Sequence, residues 1–323
     1  MSLKGLWKRS GLTHFTPFYH TVSNKRLDHI WPLYQTVDKD EFVKHLDDLS
    51  KYFDFVSAQE LIELNASNKK SSGKPKAHLT FDDGLVECHD IIYPILKEKG
   101  ISATFFINPS FVDSEEIFYR YKIALIINEL QNGSIKDSIS HEIRNELSVA
   151  NGLKYTLEES LLSLKYEDTD VINRILKLSD VTYSNSDIYM NSTQINTLVL
   201  EGHSIGAHSL DHPNFQLLEN QERLDQIEQS LDYCQRQFNQ SLRLFAFPFY
   251  DFNLPKSLYE SMFNELKVDL SFGTSGFKKD VFNNSVQRFP IEDKNSDLIP
   301  HIKKSLVYYL LKKIVSKHVM KRK

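Results

Sequence analysis

The sequence predicts an α/β protein assembled from βα units around a mostly parallel sheet or barrel. Three observations carry this expectation: short apolar runs alternate with longer helical patterns, a glycine stop divides one such unit from the next strand, and apolar side chains recur at helical spacing between later strands. With 323 residues, 41% of them apolar, the chain can bury a substantial core, and global disorder is excluded.

The clearest unit opens with the strand-like Ala77–Phe81 (AHLTF), turns through Asp82, Asp83 and Gly84, and continues as a helix to Gly100. Gly100 follows Lys97, Glu98 and Lys99 as a C-terminal cap does, and Ala103–Ile107 is the next buried strand. Between Asn108 and Met190 the rhythm stops, and the segment reads as polar helices carrying Ile123, Leu125, Ile126, Ile127 and Leu130. This is an insertion, 111–189, and because it leaves from the C-terminal end of a strand it is expected on the rim where such folds build their sites. Ser204–Ala207 starts a third unit, whose helix carries Leu224, Ile227, Leu231 and Phe238, and Leu242–Phe247 is a further strand. Asn68–Lys76 (NKKSSGKPK) reads as a surface connector. Residues 1–300 are therefore expected to form a single domain that includes the insertion, followed by a basic amphipathic helix over 301–323.

Lys and Arg number 39 against 43 Asp and Glu, a net charge of −4, so no overall basic field invites a nucleic-acid partner. Cys88 and Cys234 lie far apart without CxxC spacing, which predicts two buried thiols rather than a disulfide or a cysteine zinc site. The first twenty residues lack an apolar run of roughly 7–15 residues, and no segment reaches the roughly 18–20 of a membrane span, so the expected compartment is the cytoplasm. The terminal HIKKSLVYYLLKKIVSKHVMKRK contains seven Lys, one Arg and no acid, with Leu306, Leu310 and Ile314 at spacing four beside Val307, Leu311 and Val315. Two readings stand: a helix packed on the barrel with its lysines in water, or peripheral contact with the inner face of an anionic membrane.

Two places carry chemistry. Thr80–Gly84 (TFDDG) sets adjacent carboxylates where a buried strand ends; such a pair repels itself unless a proton or a cation neutralises one member, although a turn with one Asp capping the next helix is also ordinary chemistry. His208 and His212 stand four apart in HSLDH, and on one helical turn both imidazoles would share a face and reach one ion. The zinc-protease pattern HExxH is absent, because Ser209 stands where its Glu would be. Two His and one carboxylate leave coordination positions open, as catalytic sites do, and the same set also serves iron(II) oxygenases.

TFDDG, HSLDH and LFAFPFY, in that order, resemble the first three motifs of the polysaccharide deacetylase family, the NodB homology or carbohydrate esterase family 4 domain. The flanking YPILKEKGISATFFIN and LEGHSIGAHSLDHP are similar to the family's wording; the resemblance spans about residues 15–110 and 190–292 and omits the insertion and the tail. It implies a distorted (β/α)7-type barrel, a divalent metal, most often zinc, held by Asp83, His208 and His212, and Asp82 as catalytic base. It also implies a carbohydrate substrate, an N-acetylated amino sugar in a glycan, an oligosaccharide or a lipid-linked precursor, and an oxyanion donor in the backbone N–H of Phe249. A bound metal can lower the pKa of water from about 15.7 to about 7, while a positioned base contributes about 10²–10⁴ in rate.

The sequence departs from the family pattern twice. Ala246 stands where the third motif often has an Arg facing the catalytic Asp, and Arg288, in VQRFPI, is expected to supply that guanidinium from another strand. The general acid is normally a His in a Leu-x-x-His context near the end of the domain, which Leu298 and His301 fit. His20, which ends the strand-like HFTPFYH, is preferred, because some branches of the family resemble a circular permutation with this His on the first strand. The alternative to an enzyme is a glycan-binding protein on the same barrel that lost catalysis with the change to Ala246.

Overall fold

The computed structural model describes residues 1–67, 73–150, 156–292 and 297–322. Its main sheet contains β1 (Pro17–Tyr19), β2 (Leu79–Phe81), β3 (Ala103–Ile107), β4 (Ser204–Ala207), β5 (Leu244–Ala246), β6 (Leu270–Gly273), β7 (Ser285–Gln287) and β8 (Phe289–Pro290). The order is β7-β6-β5-β4-β3-β2-β1-β8, and every neighbouring pair is parallel. The two edges, β7 and β8, are separated in the chain by Arg288 alone. Residues 285–287 pair with β6 while 289–290 pair with β1, so one broken strand closes the sheet on itself. Counted that way, the barrel is the seven-stranded one that the motifs implied. The barrel is thus nearly closed, and an all-parallel sheet needs helices outside it, which is why its strands are near-continuous apolar runs such as ATFFI.

Local signals set the helices. Tyr93–Lys99 ends at Gly100, whose left-handed φ of 63° lets its N–H reach the carbonyls of Leu96 and Lys97. Asn220–Phe238 buries Ile227, Leu231, Cys234 and Phe238 against the barrel. Both cysteines are free and buried.

The expected strand Ala77–Phe81 is divided. Lys76–Ala77 joins His14–Phe15 and Asp54–Phe55 in a small parallel sheet, and Leu79–Phe81 enters the barrel. His78 sits buried at the break, Nδ1 at 2.8 Å from the Val56 carbonyl oxygen and Nε2 at 2.8 Å from Thr104 Oγ1. Of the expected connector, 68–72 lie outside the described residues.

The segment after β3 forms the helices Tyr119–Gln131, Asp137–Ala150, Leu157–Leu162 and Thr169–Leu178. They enclose a core of their own, with Ile126, Ile127, Ile143, Leu161, Ile172 and Ile175 at its centre. A second apolar cluster, containing Ile30, Leu85, Phe111, Phe118 and Tyr189, joins this unit to the barrel rim.

The basic helix expected over 301–323 runs instead from Leu298 to Ile314 and lies against the N-terminal helix Leu3–Ser10. The chain beyond it is not helical because it is anchored: Val319 bridges to Lys279, Met320 is buried, and the Arg322 guanidinium pairs with Asp251, at 2.5 Å, and with Asp280.

Candidate active site

Loops following the strands of the barrel meet over one cavity of about 330 Å³, which is lined by Asp82, Asp83, His208, His212, His20 and Phe249 among others. The turn after β2 builds its floor. Asp83 (φ 70°) and Gly84 (φ 67°) are both left-handed, and a Cβ on Gly84 would lie 3.1 Å from Ile107 Cγ2. Glycine fits that approach, and the turn lets two adjacent carboxylates face different partners.

Asp82 faces Arg288. Nη1 donates to Oδ1 at 2.6 Å and Nη2 to Oδ2 at 2.8 Å, a two-point fork between buried groups. The guanidinium is held further by Nε donating to the Gly273 carbonyl (3.3 Å) and by the Phe18 ring, whose centre is 4.5 Å from Cζ. Burial opposes ionisation of Asp82, but the charge and hydrogen bonds of Arg288, together with His208 and His20, outweigh it and hold the carboxyl below its ordinary range.

Asp83 faces the two histidines. Its Oδ2 accepts a hydrogen bond from Tyr121 Oη at 2.7 Å. Its Oδ1 is buried without a hydrogen-bond partner among the described residues, and lies 3.5 Å from His208 Nε2 and 3.4 Å from His212 Nε2. Donor atoms on a tetrahedral ion with bonds of about 2.0–2.1 Å stand about 3.3 Å apart, so this spacing suits one shared cation. His208 Nδ1 lies 2.8 Å from the Ala246 carbonyl oxygen, which as an acceptor fixes the proton there and turns the Nε2 lone pair toward Asp83. Burial pushes the His208 imidazole down to about 4, keeping it in the neutral form that binds metals. An orphaned carboxylate oxygen and two imidazole nitrogens form a donor set that fits zinc.

The expected helical turn for His208 and His212 is not found. HSLDH is a loop, in which Ser209 (φ 64°) and His212 (φ 62°) are left-handed and the His212 N–H donates to Ser209 Oγ at 3.1 Å. Pro213 follows at once and β4 ends at Ala207, so no helix has room to form; two sharp bends bring the rings together instead. Asn108 Nδ2 donates to the carbonyls of His208 (2.5 Å) and Ser209 (3.2 Å), and the rings of Phe118 and Phe249 pack on His212 with centroids 4.3 and 4.8 Å away.

His20 follows β1 and lines the cavity, its Nδ1 2.6 Å from Glu292 Oε2. The other oxygen, Oε1, accepts the backbone N–H groups of His20 and Thr21. Burial disfavours charge on the ring, yet the charge and hydrogen bond of Glu292, with the Asp83 and Asp82 carboxylates, outweigh it and raise His20 to about 10. His301 is elsewhere: its ring lies 5.2 Å from Phe289, and it lines a separate small cavity with Glu41 and His45. Phe249 is left-handed (φ 54°), and its carbonyl accepts from Thr274 Oγ1 at 3.0 Å.

Among the site residues that sequence reasoning missed are Phe18, Tyr34, Phe118, Tyr121, Tyr250 and Glu292. Tyr121 and Phe118 come from the insertion, where nothing distinguishes them from core aromatics. Glu292 had a readable signal, a carboxylate two residues beyond Pro290, where the closing strand pairs beside the strand that leads to His20.

The sequence matches the model of a known family, polysaccharide deacetylase, over residues 69–153 and 169–260. The chain belongs to the polysaccharide deacetylase family. Its motifs thus sit on the barrel of a carbohydrate deacetylase family, and solved structures share that fold at low identity. The Streptococcus pyogenes deacetylase PplD, solved with acetate, is 15% identical with a TM-score of 0.56, covering 87% of this chain and 92% of that one. IcaB from Ammonifex degensii is 17% identical with a TM-score of 0.56, covering 91% and 97%. A de-N-acetylase from Aggregatibacter actinomycetemcomitans is 14% identical with a TM-score of 0.57, covering 90% and 99%. No curated protein matches the sequence.

Proposed function

We propose that the protein is a metal-dependent hydrolase that removes the N-acetyl group from an amino sugar in a glycan, an oligosaccharide or a lipid-linked precursor. The observation that carries this reading is the division of labour between neighbours: Asp83 shares its free oxygen with two histidines, while Asp82, one residue away, is held off them by Arg288. Asp83, His208 and His212 would hold the cation, zinc by the chemistry of the donors, and a zinc ion there supplies Lewis acidity toward the acetyl carbonyl and the attacking water.

Asp82 accepts a proton from that water as its oxygen adds to the acetyl carbon. Arg288 fixes the carboxylate in one orientation for the transfer. The Phe249 N–H donates to the developing oxyanion. His20, kept protonated by Glu292, gives its proton to the nitrogen as the C–N bond breaks, so that acetate and a free amine leave. Phe18, Tyr34, Phe118 and Tyr250 offer aromatic faces on which a sugar ring can stack.

Asp82, Asp83, His20, His208 and His212 line one cavity, with Arg288 buried behind Asp82, and this argues against a purely glycan-binding role, since binding alone does not call for a buried Arg–Asp fork beside an Asp–His–His set. The test is acetate release from an N-acetylated chitooligosaccharide by zinc-loaded protein, before and after chelation. Release that chelation abolishes and zinc restores supports the reading; a zinc-loaded protein that binds the sugar without releasing acetate refutes it.

A further inference from the structure

The helix Leu298–Ile314 has two apolar faces and the barrel uses one. Leu298, Ile302, Leu306 and Tyr309 are buried against the body of the protein. Val307, Tyr308, Leu311, Ile314 and Val315 are exposed, Leu311 by 57% and Ile314 by 80%. At 100° per residue these five fall on one stripe pointing away from the buried set. Lys303 and Lys304 lie at the N-terminal end of the same outer face, Lys312 flanks it with its ammonium 4.2 Å above the Tyr308 ring, and no acidic residue occurs from Leu298 to the last residue.

A second feature adjoins this stripe. Lys313 Nζ donates to the Ser10 carbonyl at 2.8 Å, tying the end of the helix to Leu3–Ser10, which carries Lys4, Lys8 and Arg9 and no acid. Beside that helix opens an apolar cavity of about 690 Å³, lined by Leu3, Trp7, Tyr52 and Phe53 with Lys4 and Lys8 among its walls. Bulky exposed aliphatics would be unfavourable in water on a helix with no further role, and lysines around them add nothing to packing. Together they match the two layers of an anionic bilayer surface, acyl chains below and phosphates above. No helix among the described residues is long and apolar enough to cross a membrane, so this one would lie in the interface plane.

We propose that the outer face of Leu298–Ile314, with the adjoining Leu3–Ser10 surface, docks the protein on an anionic phospholipid bilayer. The experiment is co-sedimentation of the full chain with vesicles of phosphatidylcholine alone or mixed with phosphatidylglycerol. The wild-type protein is expected to bind the mixed vesicles at least about tenfold more strongly than the neutral ones, and to lose that preference in high salt. Leu311→Asp combined with Ile314→Asp should weaken binding at least about tenfold, while Lys303→Glu with Lys304→Glu should abolish the preference for phosphatidylglycerol. All four positions face solvent or its margin, so melting temperature and acetate release from a soluble oligosaccharide should stay unchanged. Absence of binding by wild type, or equal binding by the variants, overturns the proposal. A dimer that dissolves on Leu311→Asp with Ile314→Asp, without vesicle binding, assigns the face to a second copy instead. The vesicle readout needs no substrate, so its failure and failure of the deacetylase reading are separable.

Discussion

Arg288 grips Asp82 at the one point where the closing strand of the barrel breaks, with Nη1 at 2.6 Å and Nη2 at 2.8 Å from the two carboxylate oxygens. Arg288 lies two residues after Val286, on the same inward face, and its guanidinium sits between the rings of Phe18 and Phe106 inside the barrel. The orientation of Asp82 is therefore set from the strand that joins the two ends of the sheet.

Arg288→Ala leaves a buried carboxylate without its cation. We expect a loss of about 3–5 kcal/mol in urea unfolding, and a fall in kcat of about 10²-fold or more as Asp82 loses its orientation and ionises less readily. Arg288→Lys keeps the charge but not the fork, and should recover stability better than kcat. Near-normal turnover by a folded Arg288→Ala protein would remove the positioning role.

Tyr121→Phe tests whether the insertion supports the metal site. The hydroxyl holds Asp83 Oδ2 while the other oxygen faces the histidines, so its removal should weaken zinc binding by about 10–100-fold in a competition titration, with the melting temperature of the metal-free protein little changed. Equal zinc affinity in the two proteins would leave the insertion with no part in the site.

Asp83→Asn and His212→Ala should each lower zinc affinity. They should also diminish the rise in melting temperature that zinc causes in the wild type, because a ligand stabilises only the state that binds it. A wild-type melting temperature unaffected by zinc would count against the site.

Glu292 makes His20 a pH-dependent element. The His20 pKa is raised to about 10, above the ordinary imidazole value of about 6.5, so the pair stabilises the fold fully below about 6.5 and loses that contribution as pH rises through about 10. In Glu292→Gln the His20 resonance should titrate at lower pH by NMR, and the alkaline limb of the kcat profile should move the same way. An unchanged limb would assign the acid role elsewhere, with His301→Ala the next variant to assay.

Much of the barrel was legible because buried parallel strands are continuous apolar runs: Ser204–Ala207 and Ala103–Ile107 lie where the pattern put them. The site motifs were legible as well, since TFDDG and HSLDH are local. What sequence could not carry was long-range. The Tyr121 hydroxyl meets Asp83 across 38 positions and Glu292 meets His20 across 272, and neither pairing leaves a local pattern. The helical turn expected for HSLDH was an error of local geometry: spacing of four fits a helix, but left-handed bends at Ser209 and His212 converge the rings equally well. The tail was misjudged in length because the ion pairs of Arg322, to Asp251 and Asp280, are likewise invisible in a basic run.

The claim on which the account rests is that Asp82 moves the proton while Asp83 holds the cation. Acetate release by Asp82→Asn, measured alongside its zinc content, tests it directly. The account predicts a fall of at least about 10²-fold at unchanged zinc stoichiometry. Near-wild-type release, or loss of the zinc together with the activity, would contradict it.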